Sequence, residues 1–164
     1  MPISETRPKA WSASDLSVPA GAEAYLMLGG RVLLAVIFVV SGVRKIVEFD
    51  FFLAYMKAFG VPASSQLLPL AAAFEIIVGM AFALGIATRL CAVLLFLETL
   101  LLNSIFHNFW TYPLEQRLAQ LNLFLFHLAT LGGFLYVIAH GGGRFSLSRP
   151  DQTRDVDQAE AAVK

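Results

Sequence analysis

The sequence predicts an all-α integral membrane protein, a bundle of four transmembrane helices with a short interfacial helix after the first span. Three observations predict it. Of 164 residues, 57% are hydrophobic and only 15% are charged, against roughly 45–50% and 25% in soluble domains. Four apolar runs approach or exceed the roughly 20 residues that cross a ~30 Å hydrocarbon core. Those runs are continuous rather than alternating. That pattern excludes a transmembrane β-barrel and leaves helices, which satisfy their own backbone groups in lipid.

The first span is expected over 25–43, stopped by Arg44 and Lys45. The second and third, over 67–86 and 90–107, are separated only by Ala87, Thr88 and Arg89 and so form an antiparallel hairpin. The fourth covers 118–139 and ends at His140 and three glycines. Between the first two spans lies VEFDFFLAYMKAF, too short and too charged to cross, which reads as an interfacial helix. The loop FHNFWTYPLEQR from Phe106 gathers aromatic rings, as an interfacial belt or as a lid over a polar site. Residues 1–21 read as a polar N-terminal tail rather than a signal peptide, and 146–164 as a second flexible tail. The membrane domain then covers 22–145.

Charge narrows the function. The formal net charge is zero, so nothing points to nucleic acid. Cys91 is the only cysteine, which excludes an intrachain disulfide and a cysteine-rich metal site. Near the helix ends, Arg7, Lys9, Arg89, Arg144, Arg149 and Arg154 share the side of the termini, against Arg44, Lys45, Lys57 and Arg117 on the other. The excess favours cytoplasmic termini.

Four ionisable residues fall inside the apolar runs, each costly in hydrocarbon and each a candidate for function. Measured from the side of the aromatic loops, Glu75, Glu98 and His127 all lie roughly 12–13 Å deep. Arg31 lies roughly 19 Å from that side, within a long side chain's reach of the layer. The expected arrangement is a buried cluster of Arg31 with Glu75 and Glu98, and His127 beside them. Glu75, Glu98 and His127 are the candidate proton-handling groups. One arginine against two carboxylates leaves a negative charge over unless one carboxyl carries a proton, and Glu98 is the better candidate for that. The same cluster also reads as a charge arrangement that only fixes helix register. His107 is expected at the interface, about two turns shallower than His127, which argues against a shared haem or metal site. No metal site is expected.

Gly30-Arg31 followed by LLAVIFVVSGVRK, Glu75-x-x-x-Gly79 leading to Leu84-Gly85 and Thr88-Arg89, Phe106-His107-x-Phe109-Trp110, and Gly132-Gly133 together resemble the DoxX family. Arg31, Glu75, Arg89, His107 and Trp110 fall on the family's motif. The resemblance implies a four-helix bacterial inner-membrane protein. Family members are linked to a thiosulfate:quinone oxidoreductase, to quinone resistance and to membrane complexes that defend against oxidants. The family usually has Lys-Asn before the paired glycines, where this chain has Phe126-His127-Leu128, and Glu98 is outside the pattern.

The expected function is therefore a subunit or accessory of a quinone-linked redox or oxidant-defence system, rather than a stand-alone catalyst. No intrinsic cofactor is expected beyond a bound quinone, with Arg31, His107 and Trp110 as the residues that would hold it or guard its entrance. The bilayer and membrane protein partners are the expected surroundings. A non-enzymatic assembly factor, or a small transporter or lipid-binding protein, are the alternatives; no broken span or inverted repeat favours the transporter.

Overall fold

The computed structural model describes residues 18–19 and 21–148. Residues 1–17 and 149–164, where most of both tails was expected, lie outside the described residues. The described chain is all-helical: α1 (Ala22–Val47), α2 (Phe49–Ala58), α3 (Ser64–Leu84), α4 (Thr88–Phe106), a 3-10 turn (Phe109–Thr111) and α5 (Leu114–His140). Four of these, α1, α3, α4 and α5, are long and apolar enough to cross a membrane. The protein is a four-helix membrane bundle, and α2 is the short helix after the first span. The outward faces carry large apolar side chains such as Leu33, Ile77, Leu101 and Phe126, as a lipid-facing surface requires.

The tightest pairing is α1 against α3. Their inner faces are Arg31, Ala35, Phe38 and Gly42 on one side and Leu68, Ala72, Glu75, Gly79 and Phe82 on the other, all buried. The steps of three and four residues keep each set on one helix face. Close approach depends on the glycines. A Cβ on Gly42 would sit 2.8 Å from the Ala72 carbonyl oxygen and 2.7 Å from Ile76 Cγ1. One on Gly79 would meet Phe38 Cβ at 3.3 Å. In a membrane, where lipid competes equally for apolar side chains, small residues at the crossing let dispersion contacts hold the helices. On α3 it is Ala72, in step with Glu75 and Gly79, that lies against α1.

Phe38, Phe82 and Phe134 join α1, α3 and α5, with ring centroids 5.5 and 5.6 Å from Phe134. Ala92 and Leu95 of α4 close this core. The α3–α4 turn reverses the chain through Gly85 at φ 78 and Ala87 at φ 44. Glycine takes that conformation freely. Ala87 does not, and a hydrogen bond from its N–H to Ser148 Oγ holds it there.

That contact belongs to a hook formed by Gly141–Ser148. Ser146 Oγ donates to the Gly85 carbonyl, and the N–H groups of Leu147 and Ser148 reach the carbonyls of Leu84 and Gly85. Tyr25 of α1 packs on Phe145 with centroids 5.2 Å apart. The two described ends of the chain therefore meet on one side of the bundle, and Ser146–Ser148 are bound to it.

Candidate functional site

The expected single layer resolves into three separate groups. Arg31 is not part of a carboxylate cluster. It is 2% exposed, and its guanidinium donates to the carbonyls of Ala83, Gly142 and Phe145. The reason is register. Gly42 lies against Glu75 and Phe38 against Gly79, so the antiparallel course of α1 and α3 brings Arg31 level with the end of α3. There the unpaired carbonyls of a helix C-terminus attract a cation. Arg31 fastens the hook.

The cation that meets Glu75 is Lys45. Its Nζ donates to both carboxylate oxygens of Glu75, at 2.6 and 2.8 Å, and to Ser41 Oγ at 2.7 Å. The pair is buried, with side chains 12% and 2% exposed. Lys45 reads in the sequence as half of a basic stop beside Arg44. The missed signal was its phase: three residues beyond Gly42, it continues the inner face of α1, whereas Arg44 turns outward to Glu48. Phe52 of α2 lies over the ammonium, its ring centroid 5.6 Å from Nζ, a cation–π distance. The interfacial helix thus forms one wall of the charged pair.

Glu98 comes to this pair from α4 and lies within electrostatic range of both Glu75 and Lys45. Its Oε2 is buried and has no hydrogen-bond partner among the described residues. One cation faces two carboxyls, so an uncharged cluster requires one proton on the carboxyl pair. A buried oxygen without a partner is costly unless something else satisfies it.

His127 joins neither carboxylate by a hydrogen bond or ion pair among the described residues. Its ring lies against that of His107, with centroids 4.8 Å apart and planes tilted by 41°. His107 Nδ1 is 2.9 Å from Gln120 Oε1, and His127 Nδ1 is 3.2 Å from Asn103 Oδ1. The expected separation of two turns is overturned because the ends of α4 and α5 are not level. α5 begins at Leu114, earlier than the expected span, and its first turns stand beyond the end of α4. Gln120 then lies beside His107, and the two imidazoles close the remaining distance. α4 presents Glu98 to α3 and Asn103 to α5, so the two polar groups occupy different faces of one helix.

Trp110 lies at the rim, 58% exposed, against Phe109 and Phe124. Tyr55, Phe59, Phe106 and Tyr112 form a second aromatic group between α2 and the α4–α5 loop. Tyr112 Oη donates to the Phe106 carbonyl. Burial, and then the contact with Tyr112, push the Tyr55 phenol well above its usual range. The rings rim the end of the bundle opposite the hook. No group of three or more metal-ligating side chains occurs among the described residues.

A family model described as DoxX matches residues 26–108. The chain is 29% identical over 124 residues to the inner membrane protein YphA of Escherichia coli (strain K12), covering 76% of this chain and 89% of that one. It is 31% identical over 123 residues to the inner membrane protein YqjF of the same organism, covering 75% and 89%. No solved structure gives a significant match.

Proposed function

The chain belongs to the DoxX family, and on that premise we propose that it serves a quinone-linked redox or oxidant-defence system as a subunit or accessory. The observation that carries this reading is the Lys45–Glu75–Glu98 cluster, with its buried, unpartnered Glu98 oxygen. A cluster that balances its charge only with a proton can hold that proton and release it to a bound headgroup. Quinone chemistry supplies the electron transfer; this chain's groups bind, orient and move protons. Lys45 holds the Glu75 carboxylate in place by donating to both its oxygens, Glu98 offers the free oxygen, and the His107–His127 pair with Trp110 guards the aromatic rim. Arg31, once a candidate for the headgroup, acts instead on the hook. The relatives' names place them in the inner membrane. We extend that location to this chain, with both termini cytoplasmic on the strength of the basic residues beside them.

Glu98→Gln and His127→Phe test the reading. Both variants are expected to reach wild-type membrane levels while losing quinone binding and the phenotype. Loss of folded protein in both, with unchanged binding in any survivor, would assign the polar groups to helix register alone.

One observation favours a second reading, a non-enzymatic assembly factor. Only Leu131 and Phe134 of α5 are buried, so most of that helix remains open to a membrane partner.

A further inference from the structure

Of the four spans, α5 gives the least of itself to the bundle. Leu131 and Phe134 are its only buried side chains among the described residues, against five or six on each other span. Gln120 and His127 meet α4, and Gly133 meets Leu34 of α1. The opposite face is left over. Gly132 and Tyr136, two residues either side of Phe134, are turned about 200° from it. Asn122, Leu125, Ala129, Gly132, Tyr136 and Ala139 follow one another at alternating steps of three and four residues. That spacing is a heptad seam, the pattern that keeps two helices in contact along their length. The seam is open to its surroundings. Asn122, Leu125, Ala129, Tyr136 and Ala139 are exposed, and a Cβ on Gly132 meets nothing within 4 Å.

Two features set this face apart from a plain lipid-facing surface. Ala129, Gly132 and Ala139 are small enough for two backbones to approach closely. Asn122 lies five residues beyond Arg117, within a stretch that has no Asp, Glu, Lys or Arg before His140. Its amide forms no hydrogen bond among the described residues, and hydrocarbon offers it none.

The geometry points to a second copy of this chain as the occupant: α5 pairs with α5 of the partner, Asn122 against the partner's Asn122. Two copies inserted in the same direction form a closed pair about a two-fold axis along the membrane normal. Their α5 helices then run parallel, and each seam residue meets its own counterpart. Such a position needs a side chain that complements itself. An amide does, since it carries both donors and an acceptor, whereas a charged group would repel its copy. A single asparagine in a heptad seam also fixes the register of the pair. The Lys45–Glu75–Glu98 cluster takes no part, because it lies among α1, α3 and α4. The pairing therefore does not depend on the quinone reading, and it covers the open face of α5 without a foreign protein.

The test places single cysteines along α5 of the full-length protein in native membranes and oxidises them with copper phenanthroline. Native Cys91 is buried, so the unsubstituted protein serves as the blank. Leu125→Cys and Ala129→Cys, on the seam, should give disulfide-linked dimers. Leu123→Cys and Leu135→Cys, exposed on other faces of the helix, should stay monomeric. Energy transfer between donor- and acceptor-labelled copies in lipid vesicles then measures the strength of the pair. Asn122→Leu should weaken it about tenfold, the worth of an interhelical hydrogen bond in lipid. Asn122→Gln keeps an amide and should retain it. Cross-links at all four positions alike, cross-links at none, or a dimer undiminished in Asn122→Leu would overturn the inference. Seam cysteines that join a protein of different mass would assign the face to a foreign partner, and would overturn it as well.

Discussion

Lys45 Nζ lies 2.6 Å from Glu75 Oε1 in a pair almost wholly removed from solvent. It is the charge contact around which α1, α2, α3 and α4 meet. Removing one partner of such a pair strands the other and costs about 3–5 kcal/mol, whereas replacing both by apolar groups of similar volume is often neutral. Lys45→Met should therefore destabilise strongly, and Lys45→Met with Glu75→Leu should recover most of the loss. Chemical denaturation in detergent, run as a double-mutant cycle, measures this coupling.

Arg31 fastens three carbonyls with one planar guanidinium. A lysine has a single nitrogen and cannot span them. Arg31→Lys should release Gly141–Ser148 at a cost of roughly 2–4 kcal/mol, given the net worth of charge-assisted hydrogen bonds. Hydrogen exchange should report it, as faster exchange at Leu147 and Ser148 with the bundle core unchanged.

Two glycines should respond in opposite directions. Gly42→Ala drives a methyl toward the Ala72 backbone oxygen and should cost about 1–3 kcal/mol, the range for overpacking. Gly132→Ala meets nothing within 4 Å and should be neutral or stabilising by up to about 1 kcal/mol, since alanine is the better helix former. Thermal denaturation of the two variants beside wild type measures both.

Tyr55 gives a pH dependence with a definite sign. Its folded phenol holds a proton to higher pH than the unfolded one, which titrates near 10. The stability it contributes is complete below pH ~10 and is lost as pH rises through the folded value. Denaturation midpoints should fall above pH ~10 in wild type and fall less in Tyr55→Phe. An equal alkaline loss in both would assign the effect to other groups.

The architecture was legible because lipid imposes it: length, continuity and lack of charge identify four spans without any knowledge of packing. The site was legible in its residue types but not in its partners. Depth along each helix placed Glu75 and Glu98 in one layer correctly, because the short α3–α4 turn keeps those two helices in step. The same counting misled for His127, where the loop before α5 shifts one helix against its neighbour. Arg31 was misassigned because depth says nothing of register, and the glycine crossing at Gly42 and Gly79 sets the register of α1 on α3. Lys45 was hidden by its neighbour: two adjacent basic residues read as a stop, yet their directions differ by about 100° around the helix. Only the phase of the buried face separates them.

If the Lys45–Glu75–Glu98 cluster serves a bound quinone, as proposed, that quinone should leave the membrane with the protein. The most direct measurement is mass-spectrometric analysis of quinone extracted from wild type and from Glu98→Gln, each purified from native membranes in mild detergent. Quinone is expected at near one per chain in wild type and should be lost in Glu98→Gln at equal yield of folded protein. A quinone-free wild type that brings down one membrane protein partner would contradict it and favour an assembly factor.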